Sequence, residues 1–99
     1  MDLGNVGTVL SDETRRRLIE ILRDSGPLTS KNAHEIFTER FADRRRESIY
    51  KALEVLVENG FAEKYYDQDG DGIVYDLCVE RLLINFTDMT VVEEGDEKT

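Results

Sequence analysis

The stretch Asp43–Phe61, DRRRESIYKALEVLVENGF, decides how this chain is read. Asp43 is a natural helix cap, and Gly60 is the residue type that closes a helix in the left-handed conformation. The spacing between them predicts one helix over 44–59. At about 100° per residue, Ile49, Leu53, Leu56 and Val57 gather on one side, which marks a core-facing stripe. Arg44, Ser48, Lys51 and Val55 gather on the opposite side, flanked by Arg45 and Glu47. Arg46 falls toward the core side by the same count. One face is apolar, and the other offers cations and hydroxyls near the helix N-terminus.

Upstream, two shorter helices are predicted. The first starts at Ser11-Asp12-Glu13, with Ser11 as cap, and carries Leu18, Ile21 and Leu22 at helical spacing until Gly26-Pro27 stops it. The second opens at Thr29 or Ser30, carries Ala33, Ile36 and Phe37, and fades after Arg40. Residues 1–9 are expected as a short N-terminal extension, extended near Val6–Leu10. Downstream, Phe61–Asp67 and Ile73–Val79 are rich in aromatic and β-branched residues, and turn chemistry separates them, so they predict a β-hairpin. Ile73, Tyr75, Leu77 and Val79 are expected to face the core. Leu82–Phe86 is either a further strand or a docking piece, and 87–99 reads as an acidic, flexible tail.

The chain has 99 residues, enough for one domain with a modest core. It holds 13 Lys+Arg against 22 Asp+Glu, a net charge of −9. Residues 1–51 carry 10 basic and 9 acidic side chains, whereas residues 52–99 carry 3 and 13. Within that acidic chain, Arg40, Arg44, Arg45, Arg46 and Lys51 form a basic island, a statement about partners rather than fold. Arg outnumbers Lys by 9 to 4, and acids are abundant, a mixture that resembles proteins of salt-loving archaea. No apolar stretch is long enough to span a bilayer, and no secretory signal is expected. Cys78 and His34 are the only residues of their types. That excludes an internal disulfide, and it excludes a zinc site built from four cysteines or from paired cysteines and histidines. The chain therefore reads as cytoplasmic. No Ser/His/Asp set and no Gly-rich phosphate loop is present, so no enzyme is expected.

Three local signatures carry a family resemblance. Leu10–Ile19 is similar to the first helix of ArsR-like regulators. Ser48-Ile49-Tyr50-Lys51-Ala52-Leu53, followed by Leu56 and Asn59-Gly60-Phe61, resembles the recognition helix of PadR-like and Fur-like regulators. The return strand Ile73–Leu77 is similar to their wing. The resemblance covers about residues 10–80 and implies an α+β winged helix-turn-helix, three helices followed by a β-hairpin wing. It implies a sequence-specific, DNA-binding transcription regulator, a homodimer reading double-stranded DNA. The long C-terminal helix of PadR-like proteins, the metal-binding His and Cys of Fur-like ones and the Cys pairs of ArsR-like ones have no counterpart here, so no cofactor is carried over. The alternative is a winged-helix protein-interaction module without DNA binding.

On the regulator reading, Arg44, Arg45, Ser48 and Lys51 are offered to base edges and phosphates in the major groove. Tyr50 either reaches the backbone with its hydroxyl or packs half-buried. Thr29, Ser30 and Lys31 either hold a phosphate at a helix N-terminus or simply cap the helix. Lys64 is the only basic residue of the hairpin. Asp67, Asp69 and Asp71 at the wing tip repel phosphate. The run Asp67-Gln68-Asp69-Gly70-Asp71-Gly72-Ile73 also resembles the first half of a calcium loop, but position 12 is Cys78 rather than Glu, so a solvated turn is the default. Leu82–Phe86 and Val6–Leu10 are the candidate subunit contacts.

Overall fold

The computed structural model describes residues 1–70 and 72–94. Within them the chain forms four helices and then two hairpins: α1 Leu3–Leu10, α2 Glu13–Ser25, α3 Ser30–Arg40, α4 Arg46–Glu58, β1 Ala62–Asp67, β2 Gly72–Leu77, β3 Arg81–Asn85 and β4 Thr90–Glu94.

α1 corrects the expected extended lead-in. Leu3, Val6 and Leu10 recur at helical spacing, and the Asp2 carboxylate accepts the Asn5 N–H at 3.0 Å, an N-cap that offsets Gly4 and Gly7. The far end is closed by the next helix. Arg15 donates to the Val9 and Thr8 carbonyls at 3.0 and 2.9 Å, and Arg16 donates to that of Leu10, so cations occupy the negative end of α1. Val6 and Val9 are buried in the chain's own core. Within the expected Val6–Leu10 subunit contact, these two side chains are therefore not open to a second copy.

Asp12, not Ser11, caps α2, accepting the Arg15 N–H at 3.0 Å. Gly26 ends α2 at φ +78°, a conformation costly for any side chain with a Cβ. Thr29 caps α3 through its hydroxyl. The connection to α4 differs from expectation. Asp43 makes no cap; the helix opens at Arg46 behind an extended Arg45, with no side-chain cap. His34 accounts for the shift: its Nε2–H donates to the Arg44 carbonyl at 2.6 Å and ties the turn to α3. Arg44 and Arg45 thus stand ahead of the helix instead of on its first turn.

The core lies where α2, α3 and α4 meet. Leu18, Ile21, Leu22, Ala33, Phe37, Ile49, Leu53 and Leu56 are buried there, with Phe61 beneath the first strand. β1 and β2 pair antiparallel, with Lys64 opposite Tyr75 and Tyr66 opposite Ile73. Leu28 adds one antiparallel bridge to Tyr75, which docks the hairpin against the α2–α3 connection. Tyr75 is buried as expected and Leu77 is half-buried, but Ile73 is exposed and Val74, on the opposite face, is buried in its place. Leu82–Phe86 supplies β3, which pairs with β4 in a second hairpin, Leu83 opposite Val92. Residues 90–94 are thus a strand, not a flexible tail, and Val91 is buried. The remaining tail positions, 95–99, lie outside the described residues.

Candidate nucleic-acid interface

Most arginines of this chain are committed to structure. Arg15 and Arg16 close α1. Arg17 pairs with Glu13 at 2.9 Å and lies 4.3 Å from the centre of the Phe41 ring, with Arg40 at 5.0 Å from it. Arg23 and Arg40 both bind Asp24, at 2.8 and 3.2 Å, and the Arg23 hydrogen bond leads in holding the Asp24 carboxyl below its usual range.

Arg45, Arg46 and Lys31 differ. All three are exposed and make no hydrogen bond or ion pair among the described residues. Arg46 corrects the expectation that it turns toward the core. With α4 starting at Arg46, it borders a cleft of about 540 Å³ lined by Thr29, Ser30, Lys31, Asn32 and Ile73. The N-termini of α3 and α4 and two free cations, Lys31 and Arg46, therefore share one cleft, while Arg45 borders a separate concavity with Asp43 and Arg44. Free backbone N–H groups and Arg/Lys side chains are the chemistry that holds phosphate oxygens.

The other expected residues fall as follows. Arg44 is exposed; its guanidinium donates to the Asp43 carbonyl and lies 5.9 Å from the Phe37 ring centre. Ser48 and Lys51 are exposed on α4 and line a shallow cleft against α2 with Asp12, Thr14 and Arg15. Tyr50 is 47% exposed and borders a concavity with Ser30, Arg46 and Glu47. The Thr29 hydroxyl accepts the Asn32 N–H at 3.1 Å, whereas Ser30 and Lys31 line the cleft. Lys64 is not free: its ammonium contacts both Glu54 oxygens at 2.9 Å. At the wing tip the Asp67 carboxylate accepts the Asp69 N–H at 3.2 Å, and Asp71 lies outside the described residues. Among the described residues no group of three potential ligands stands close enough to hold a metal. The Cys78 thiol is pushed up by burial first and then by Glu63, Glu93 and Asp76, which keeps it protonated.

Two further side chains shape the site with little local signal in the sequence. His34 sets the turn that carries Arg44 and Arg45, and its only advance signal was its lone polar ring on a helix near that turn. Glu54 joins the wing to α4: its carboxylate accepts from the buried Tyr75 hydroxyl at 2.5 Å and from Lys64. Tyr75 leads Lys64 in holding the Glu54 carboxyl below its ordinary range, and burial is the main cause that raises the Tyr75 hydroxyl. Because the folded Glu54 pKa is depressed, its contribution is fully present above about pH 4.3 and fades as pH falls through the folded value. Tyr75→Phe is expected to cost about 1.5–3 kcal/mol at neutral pH, as for a hydrogen bond to a charged group. Chemical denaturation from pH 7 to pH 3 checks this: the gap between wild type and Tyr75→Phe narrows toward the acid end. A gap independent of pH would show that the carboxylate plays no part.

α3, a short connection, α4 and an antiparallel hairpin together make a winged-helix domain of the α+β class, with α1 as an added N-terminal helix. Solved structures agree with that fold. The ferric uptake regulator of Pseudomonas aeruginosa with manganese superposes at a TM-score of 0.59 and 16% identity, over 86% of this chain and 66% of that one. The Helicobacter pylori ferric uptake regulator Fur, described with three functional metal binding sites, gives 0.61 and 17% over 86% and 59%. A manganese uptake regulator gives 0.60 and 20% over 96% and 74%. Each is named as a regulator, none as an enzyme. The chain spans about two thirds of the Pseudomonas regulator and less of the Helicobacter one. No protein-family model matches the chain. No curated protein matches it either. No helix among the described residues is long and apolar enough to cross a membrane.

Proposed function

We propose that this chain is a sequence-specific, DNA-binding transcription regulator of the cytoplasm that places α4 in the major groove as a homodimer. The observation that carries this is the unpaired state of Arg45, Arg46 and Lys31. In a chain of net charge −9, where the neighbouring arginines are spent on carboxylates, carbonyls and rings, these cations stay open at the joint N-termini of α3 and α4. A helix about 10–12 Å across fits a major groove about 12 Å wide. Arg44, Arg45, Arg46 and Lys31 then meet phosphates and guanine edges, with Ser30 adding a hydroxyl. Ser48, Tyr50 and Lys51 follow further along the inserted helix. The wing supports α4 more than it touches DNA, because Lys64 is neutralised by Glu54 and the tip is acidic. The test is titration of duplex DNA across a wide salt range. A steep fall of affinity with salt and selection of one sequence from a random pool support the proposal; no binding at any salt overturns it. The acidic wing favours one other reading, a winged-helix module that binds a protein partner, and the same null result would point to it.

The subunit contact of this proposal is the second hairpin. Leu83 and Val92 face outward together on β3 and β4, and Phe86 (73% exposed) and Met89 extend the patch through the turn. All four side chains are more than half exposed, and a contiguous apolar cluster of this kind marks an interaction site. A stable interface takes about 800 Å² per partner, so this patch supplies the apolar centre and leaves the rim to polar neighbours. A second copy is the fitting occupant, since two modules double the readable sequence. Sedimentation velocity is expected to show a dimer for the wild type and a monomer for the Leu83→Asp, Phe86→Asp variant, with helical content unchanged. A monomeric wild type at high micromolar concentration removes the dimer from the proposal.

A further inference from the structure

We propose that Glu47 is the specificity-determining residue of α4 and reads a cytosine by accepting a hydrogen bond from its N4 amino group. This rests on the DNA-reading proposal above. The placement follows from the helix as it actually forms. Ile49, Ala52, Leu53 and Leu56 are the buried residues of α4. At about 100° per residue, the direction opposite that stripe passes within roughly 20° of Glu47. Lys51, Glu54 and Glu58 follow along the same outer line. Glu54 is held by Tyr75 and Lys64, and Glu58 sits at the far end of the helix. In the N-terminal half of α4, therefore, Glu47 is the residue that enters a groove deepest, with Lys51 beside it and Tyr50 and Ser48 to either side.

Glu47 is 71% exposed, and its only partner among the described residues is Lys51, 3.8 Å away and equally exposed. A pair so open and so long holds little energy. A carboxylate in the first turn also suits the helix dipole, and that role is indifferent to DNA. In front of a phosphate, however, it is repulsive, and it stands among the cations meant for phosphates. The floor of the major groove resolves the conflict, because it holds bases rather than phosphates. There a carboxylate, an acceptor only, matches the N4 donor of cytosine. At adenine the N6 donor lies beside the N7 acceptor, which an amide satisfies and a carboxylate does not. Lys51 then shifts from Glu47 to a neighbouring acceptor or phosphate.

The experiment is selection from a random duplex pool with wild type, Glu47→Gln and Glu47→Ala, together with affinity for a fixed non-specific duplex. The wild type is expected to require cytosine at one position per half-site. Glu47→Gln should move that preference to adenine, and Glu47→Ala should relax it. Both variants should bind the non-specific duplex several-fold more tightly, since a negative charge is gone. Selection by the wild type with an unchanged base preference in both variants overturns the role of Glu47 and leaves the regulator standing. Absence of any DNA binding by the wild type overturns the regulator itself, and this inference with it.

Discussion

The triple variant Arg45→Ala, Arg46→Ala, Lys51→Ala is expected to lose DNA affinity by about 150- to 1,500-fold at low salt, with each removed contact costing about 1–1.5 kcal/mol. The magnitude follows from what these side chains do when no DNA is present. Arg45 and Arg46 have no partner among the described residues, and Lys51 has one weak, exposed one. Their removal breaks only that weak, exposed pair, so unfolding midpoints should shift little. Three lost phosphate contacts also reduce the log–log salt slope by about 0.9 each, so the variant's affinity should fall less steeply as salt rises. Fluorescence anisotropy at a series of salt concentrations measures both effects. Arg17→Ala makes the contrast. That guanidinium lies against Phe41 and Glu13, so its loss should lower stability and spare the salt slope. A triple variant with wild-type affinity and slope would remove DNA from the function of this surface.

The distinction between working and structural arginines is not available from the sequence. Composition places a basic island at Arg40–Lys51, but nothing in the letters separates Arg40, which is bound to Asp24, from Arg45, which is free. The separation depends on the path of the chain between α3 and α4. That path is set by His34, ten residues from the carbonyl it holds. A cap at Asp43 lengthens the expected helix and puts Arg44 and Arg45 on its first turn. Counting Val57 instead of Ala52 in the apolar stripe sets Arg46 toward the core and reduces Glu47 to a flank; the buried set Ile49, Ala52, Leu53 and Leu56 moves Arg46 off the stripe and brings Glu47 opposite it. The elements themselves are legible, because their signals are local. Gly26-Pro27 and Gly60 mark helix ends through backbone conformation, and the stripe Ile49, Leu53, Leu56 is a direct record of burial. α1 escapes for the opposite reason. Gly4 and Gly7 lower its intrinsic helicity, and its closure depends on Arg15 and Arg16 from the following helix. β4 escapes because its acidic, exposed residues give no alternation, and only Val91 is buried.

Phe37→Ala is expected to destabilise the fold by about 3–5 kcal/mol, the range for an aromatic side chain removed from a packed interior. Phe37 is 1% exposed and is the bulkiest of the fully buried side chains. Its ring meets Phe41 edge-on at 5.5 Å between centres, a contact worth about 0.5–1.5 kcal/mol beyond area alone. Phe41 in turn contacts both Arg17 and Arg40, so a collapse of the α3 end also loosens the ion pairs around Asp24. A domain of this size has a total stability of about 5–15 kcal/mol, so the loss is a large share of it. The melting temperature should fall by roughly 15–30 °C. The same ring lies under Arg44, at the turn that delivers Arg44 and Arg45, and DNA affinity should therefore drop even at temperatures where the variant is still folded. Phe37→Leu, which keeps most of the volume, should recover more than half of the stability. Urea denaturation and anisotropy on the two variants separate the effects. A cost under about 1 kcal/mol for Phe37→Ala would mean that α3 does not pack on the core as described, and the alignment of the two helix N-termini would have no support.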